Sequence, residues 1–359
     1  MALNQIVTAN RIVPAGLVVV ALLLAAMCSG PLISGEGRAA AADKAADVKV
    51  ATGEYRITGP YTVKNLSVFL VQGSDTLKDK EFLTLGEALE NRKIVVEETG
   101  TVNELVINNK GNVTVYILGG EIVKGGKQDR VLKHDLIVPP GKKLSVTAFC
   151  VEQGRWSARG GESAGSFNSS ENILSSRSQK LAARVSGDQG QVWENVARSQ
   201  ERLGKSTGGS VQSEQSKTSL ELTLRDKKVT QGIDEYVKEL SGVMEGKKDV
   251  VGYGYVINGQ VNTVDIYGSA ALFKKLWPKL LKSAAVEALE NYQADKTFAS
   301  GTTDDIRKFM LDAEQAQRVK EKVSDRVTLE KGDSKNAVIL ESKDMDNAAA
   351  PMRKSYIAK

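Results

Sequence analysis

The chain has 359 residues, 41% of them hydrophobic and 26% charged, a balance that fits a soluble protein of one large domain or two modest ones. Aromatic residues make up 5%, too few for an aromatic carbohydrate-binding surface or a base-stacking sheet. Two cysteines, Cys28 and Cys150, and one histidine, His134, exclude zinc sites of four cysteines, of paired cysteines and histidines, or of three histidines. A Ser-His-Asp enzyme would have a single histidine to use.

Met1 to Arg11 carries one charge, on Arg11, and Ile12 to Met27 is apolar and uncharged. This is the layout of a secretory signal. The run is short for a membrane span and contains Pro14. Small residues follow, with Ala-x-Ala cleavage expected near Ala40 or Ala42 and a site closer to Gly30 as the alternative. Residues 1–42 are therefore read as a signal peptide and small-residue leader, and the protein as exported, periplasmic or extracellular. Membrane attachment would come only from an uncleaved signal or from lipidation at Cys28, where Met27 is large for the residue preceding a lipidated cysteine. Without the leader, Cys150 is the one cysteine left, so no internal disulfide can form. The net charge of +5 drops by one when Arg11, Glu36 and Arg38 leave. The remaining charges are well mixed, with no basic block to neutralise phosphates, and no nucleic-acid partner is expected.

Residues 48–160 form a β-rich half. Short runs rich in β-branched residues, such as YTVKNLSVFLVQ, KIVVEET and NVTVYILGGEIV, are bounded by Gly, Asn or Pro. They predict an antiparallel meander or sandwich of about six or seven strands. Thr84 to Asn91 reads as a short helix with a Thr cap and Glu87 three residues on. Residues 161–295 form a helical half, with a helix near Ser170 to Val185 and another over Gln191 to Leu203. A mobile Ser/Gly/Gln loop over Gly204 to Ser219 follows, then a helix over Asp226 to Val243. Residues 249–267 predict a hairpin turning at Asn258-Gly259. Ala270 to Asn291 is an amphipathic helix that Pro278 should kink. Residues 296–359 predict a helix over Thr303 to Val323, a weak hairpin over Arg326 to Ser342 and a frayed tail from Lys343. The fold class is α+β, a β meander or sandwich followed by helices with a hairpin.

Two segments carry chemistry. Gly119 to Arg130 (GGEIVKGGKQDR) follows a strand, but Gly126 stands where a phosphate loop needs Lys, and a strand comes next. The segment is either a bend presenting Glu121, Lys127, Gln128 and Arg130 together, or a plain glycine hairpin with solvated charges, which local sequence favours. Phe149 to Trp156 (FCVEQGRW) ends a strand in a turn. Leu144, Val146, Ala148 and Cys150 share one face, so Cys150 continues a core row. Glu152 comes next on that face and needs a cationic partner. Arg130 and Arg155 are the candidates, and either would lower the Cys150 pKa. His134 alternates with Leu132, Leu136 and Val138 and reads as a half-buried strand residue, not a catalytic base.

Together, GGEIVKGGKQDR and CVEQGRW resemble the ARG and rhodanese-phosphatase-superfamily-associated domain, a largely uncharacterised prokaryotic family. The resemblance continues through QGQVWENV, the hairpin pair and LWPKLLKSAAVEAL, and covers most of residues 60–290. It implies a signature of Glu121, Gly126, Lys127, Gln128, Arg130, Cys150, Glu152, Gly154, Arg155 and Trp156. Gln191, Trp193, Asp265 and Trp277 are secondary candidates. The family's grouping with ADP-ribose-processing proteins implies a nucleotide-linked role, whereas an exported chain does not meet cytosolic NAD pools.

Three functional readings follow. The first is a polar site for a small anionic, nucleotide- or sugar-like ligand. Glu121, Cys150 and Glu152 would be its catalytic groups, and Lys127, Gln128, Arg130, Gln153, Arg155 and Trp156 would bind the ligand. It requires these side chains to converge on a concave pocket. The second is a structural or interaction module of the cell envelope, in which the same motif is an ion-paired network. The third is thiol redox chemistry at Cys150, which lacks a resolving cysteine. No cofactor and no metal site is expected, because Cys150, Glu152 and His134 have no ligand spacing.

Overall fold

β-Branched segments form strands from the start of the computed structural model, which describes residues 45–347 and 351–359. The signal segment and Cys28 lie outside the described residues. β1 (Ala46–Val50), β2 (Gly53–Val63) and β3 (Leu66–Gln72) come first. β4 (Leu83–Thr84) runs into α1 (Leu85–Glu90), which opens on a full capping box: Thr84 Oγ1 accepts from the Glu87 N–H, and the Glu87 carboxylate accepts from the Thr84 N–H. β5 (Ile94–Glu98), β6 (Glu104–Asn109), β7 (Val115–Ile117) and β8 (Glu121–Gly125) follow, then β9 (Arg130–Leu132), β10 (Leu136–Val138), β11 (Lys143–Cys150) and β12 (Ser166–Leu174). α2 (Arg177–Lys180) continues directly into a π-helical turn over Leu181–Ser186. α3 (Gln189–Thr207), α4 (Leu220–Leu224) and α5 (Lys227–Leu240) precede the hairpin of β13 (Val250–Ile257) and β14 (Gln260–Tyr267). Asn258 and Gly259 turn it with φ of 53° and 78°, the left-handed pair of a type I′ turn. α6 (Ala270–Glu290), with Pro278 inside it, and α7 (Thr303–Glu314) lead to β15 (Arg318–Lys322), β16 (Val327–Asp333), β17 (Ala337–Asp344) and β18 (Pro351–Ala358).

The fold is α+β. Its largest sheet has nine strands in the order β1-β2-β3-β13-β14-β18-β17-β16-β15 and draws on the beginning, middle and end of the chain. A six-stranded barrel closes in the order β11-β6-β5-β12-β8-β9, and a three-stranded sheet, β10-β7-β4, contains a parallel pair. The β-rich segment is therefore neither one meander nor a sandwich. Closure of the barrel removes edges that an open sheet would expose. One face of the large sheet packs its tyrosines and valines on α3, α5 and α6. The opposite face packs on Ile306, Met310 and Ala313 of α7. A third apolar cluster fills the barrel and takes in Leu85 and Ala88 of α1.

Three expectations are corrected. The helix read near Ser170 begins only at Arg177, where Ser176 and Gln179 form a second capping box; the residues before it are β12, recruited by β5 and β8. The helix read to Val323 stops at Glu314, and Arg318–Lys322 is an edge strand whose charges face solvent. The tail is not frayed from Lys343. β18 sits inside the large sheet between β14 and β17, with Met352 to Ala358 buried.

Candidate functional site

β8 runs between two glycine pairs, and the signature is built at the second. Gly126 has φ of 54°, and a Cβ there would lie 2.2 Å from the Phe167 ring, so only glycine lets the chain turn against that ring. The turn returns the chain as β9, which places Arg130 opposite Cys150 at the end of β11.

Around this turn, Gln128 links three neighbours. Its Oε1 accepts from the Cys150 thiol at 2.7 Å and from Arg130 Nη1 at 3.2 Å, and its Nε2 donates to the Glu152 carbonyl at 2.9 Å. The Glu152 carboxylate is fully buried. It accepts from Arg155 Nε at 2.6 Å, Arg159 Nη1 at 3.2 Å, Ser216 Oγ at 2.5 Å and the Asp129 N–H at 3.4 Å. Asp129 accepts from Arg155 Nη2 and Arg159 Nη1, both at 3.3 Å, and from the Gly125 N–H at 3.0 Å. Arg159 also reaches Ser219 Oγ and Glu162. Two arginines thus bridge two buried carboxylates, and the loop around Ser216 closes over them.

The sequence-predicted residues divide. Gln128, Arg130, Cys150, Glu152 and Arg155 come together as expected, and Arg155 is the partner that Glu152 requires. Arg130 is not: its guanidinium reaches Glu98 at 3.5 Å. Lys127 lies with Arg130 over the ring of the half-exposed Trp156, at 5.0 and 5.7 Å. Gln153 is exposed, and its carbonyl accepts from Thr218 Oγ1. Glu121 stands at the other end of β8, about 13 Å along the strand from Gly125, where it is ion-paired to Lys279 of α6. It shares no partner with Glu152. Asp129, Arg159 and Ser216 were missed. Asp129 lies inside the first motif, whereas Arg159 and Ser216 lie in Ser/Gly-rich loops whose pairing no periodicity announces. The loop over Gly204 to Ser219 is anchored here and begins as the last turn of α3. Among the described residues, no group of three or more His, Cys, Asp or Glu side chains is placed to hold a metal.

The sequence model of the ARG and Rhodanese-Phosphatase-superfamily-associated Protein domain matches residues 54–348. The chain belongs to this family. No curated protein and no solved structure matches it. The family domain reaches beyond the motifs at both ends and includes both glycine pairs and the whole Asp129–Glu152 cluster, while β18 follows it.

The electrostatics of the family domain follow from burial. Burial pushes the Cys150 thiol up to about 11 and outweighs the pull of Arg130, so the expected lowering does not occur and the thiol stays protonated. A thiol reagent near pH 8 is expected to label the native protein at least about 100-fold more slowly than the unfolded chain, from the difference in thiolate fraction alone. Equal rates, followed by mass, would count against a buried thiol.

Burial, and then the Glu152 carboxylate, raise Asp129 from 3.8 to about 6. Burial, and then Lys133 and Arg184, lower His134 from 6.5 to about 4. Asp129 contributes stability that is complete below pH 3.8 and lost as the pH rises through 6, roughly 3 kcal/mol. His134 contributes stability that is complete above pH 6.5 and lost as the pH falls through 4, again about 3 kcal/mol. The two oppose each other between pH 4 and 6. Asp129→Asn should unmask the histidine: on acidification from pH 7 to 4 the variant should lose about 3 kcal/mol more than the parent in urea titrations. A variant that tracks the parent would refute the raised Asp129.

Proposed function

We propose that the protein is an exported structural or interaction module whose signature motif is an ion-paired lock at the barrel end. One observation carries this reading. All four carboxylate oxygens of Asp129 and Glu152 accept from protein donors, and Cys150 is buried and protonated. Such a network ties β8, β9 and β11 to the 152–162 loop and to the chain near Ser216 and Ser219. Its loss should lower stability. Export rests on the charge-poor apolar leader, and the mass of the mature chain tests it: the expected N-terminus falls between residues 30 and 43.

A second reading keeps a site for a small anionic, nucleotide- or sugar-like ligand with hydrolytic chemistry. It is favoured by Asp129 being raised to about 6 beside Glu152, since a carboxyl group shifted toward neutral pH suits acid–base catalysis. Arg155 and Arg159 would then hold the anion, after the loops bearing Arg159 and Ser216 move aside. Glu152→Gln separates the two readings. A lock loses several degrees of melting temperature, whereas a ligand site keeps its stability and loses turnover or ligand-induced stabilisation, with ADP-ribose among the ligands tried.

A further inference from the structure

The nine-stranded sheet ends in β1 on one side and β15 on the other, and the two edges differ. β15 is guarded. Paired antiparallel with a second copy of itself about Lys320, it would set Lys320 against Lys320 and Arg318 against Lys322. Like charges directly opposite each other repel, and edge lysines commonly block such pairing. β1 has no such guard. It carries one acid, Asp47, and one base, Lys49, and the two-residue turn Ala51-Thr52 joins its last residue, Val50, to Gly53 of β2. Val50 therefore spends its backbone groups on β2, and by alternation so do Val48 and Ala46. The backbone N–H and C=O groups of Asp47 and Lys49 point outward, and no turn or loop among the described residues bonds to them.

The side chains suit a twofold pairing of this edge. Asp47 and Lys49 are exposed on one face, beside an open cleft of about 850 Å³ that Glu54 and Arg56 also line. Within the chain, Lys49 stands opposite Glu54, with 2.7 Å between the charged atoms, and Asp47 stands opposite Arg56. Val48 points to the other face and packs in the cluster that contains α7. Antiparallel pairing of two β1 strands about Val48 sets Asp47 of each copy opposite Lys49 of the other. The outward groups of these residues then meet as hydrogen-bonded pairs, and the two Val48 residues fall at the closer, non-hydrogen-bonded position. Charge alternates along each row across the four central strands: Glu54 and Lys49 of one copy, then Asp47 and Arg56 of the other. Centring the pair on Asp47 or on Lys49 would set like charges together, so the sequence selects one register.

We infer that β1 is a dimerisation edge: it pairs with β1 of a second copy of this chain about a twofold axis at Val48 and joins two nine-stranded sheets into one. Such a contact uses the same patch on both copies and therefore closes at two. It shares no residue with the lock, so its failure leaves the lock reading standing. The test is sedimentation equilibrium of the purified full chain and of two variants, Asp47→Lys and Lys49→Asp. The parent should be dimeric at about 100 μM, and each variant alone, with like charges opposed in both rows, should dimerise at least about tenfold more weakly. Mixed one to one, the two variants should associate as the parent does, because both lysines of one face both aspartates of the other. That recovery also shows that neither substitution has spoiled the fold. A monomeric parent, single variants that associate as tightly as the parent, or a mixture that associates no better than its components would overturn the inference.

Discussion

Arg353→Met is expected to cost about 4 kcal/mol and roughly 6 °C of melting temperature. Arg353 is buried near the chain end and donates to Asp265, to Asp135 and to the Gly119 carbonyl. Methionine fills similar space but leaves Asp265 with no ion pair, only the field of the buried Lys180, and Asp135 with Arg184 alone. Removing one member of a buried charge group strands the rest, which is why the cost exceeds that of a lost surface pair. Lys359→Met is the control, because Lys359 pairs with Asp333 at the surface. The two variants should separate clearly in thermal and urea unfolding. A loss below about 1 kcal/mol for Arg353→Met would mean that the cluster is solvated and the burial of β18 overstated. Deletion of residues 351–359 should be harsher still. It would divide the nine-stranded sheet between β14 and β17 and is expected to yield no cooperatively folded protein.

Glu152→Gln is expected to cost about 3 kcal/mol. The amide keeps the volume and can still accept from Ser216, but it cannot neutralise Arg155 and Arg159, which would then face Asp129 alone. Glu121→Gln should be milder, about 1–2 kcal/mol: one Glu121 oxygen already lacks a partner, and Lys279 retains slight access to water. If the two variants cost the same, the signature would hold the fold no more tightly than any other half-buried pair.

The features legible in the sequence are those set by local chemistry. The Thr84–Glu87 box, the Asn258-Gly259 turn and the core-facing row that ends at Cys150 each depend on residues a few positions apart. Illegible were features set by distant partners. PMRKSYIA reads as a polar tail because Arg353 and Lys354 look solvated. They are buried only because Asp135, Asp265, Glu314 and Glu341 arrive from remote segments. SFNSSENIL is weak as a strand by composition and becomes one by closing the barrel between β5 and β8. The same holds at the candidate site. The motifs marked Gln128, Arg130, Cys150, Glu152 and Arg155 as a group, but the Arg159 and Ser216 contacts depend on loop folding. The expected union of Glu121 with Glu152 failed because β8 holds them at opposite ends.

The lock is tested most directly by a double-mutant cycle between Glu152 and Arg159. Unfolding free energies are measured for Glu152→Gln, Arg159→Met, the double variant and the parent at pH 7. A lock predicts a coupling energy of about 2 kcal/mol or more, with each single variant clearly destabilised. A coupling below about 0.5 kcal/mol, with melting temperatures unchanged, would contradict it and leave the carboxyl pair to the ligand reading.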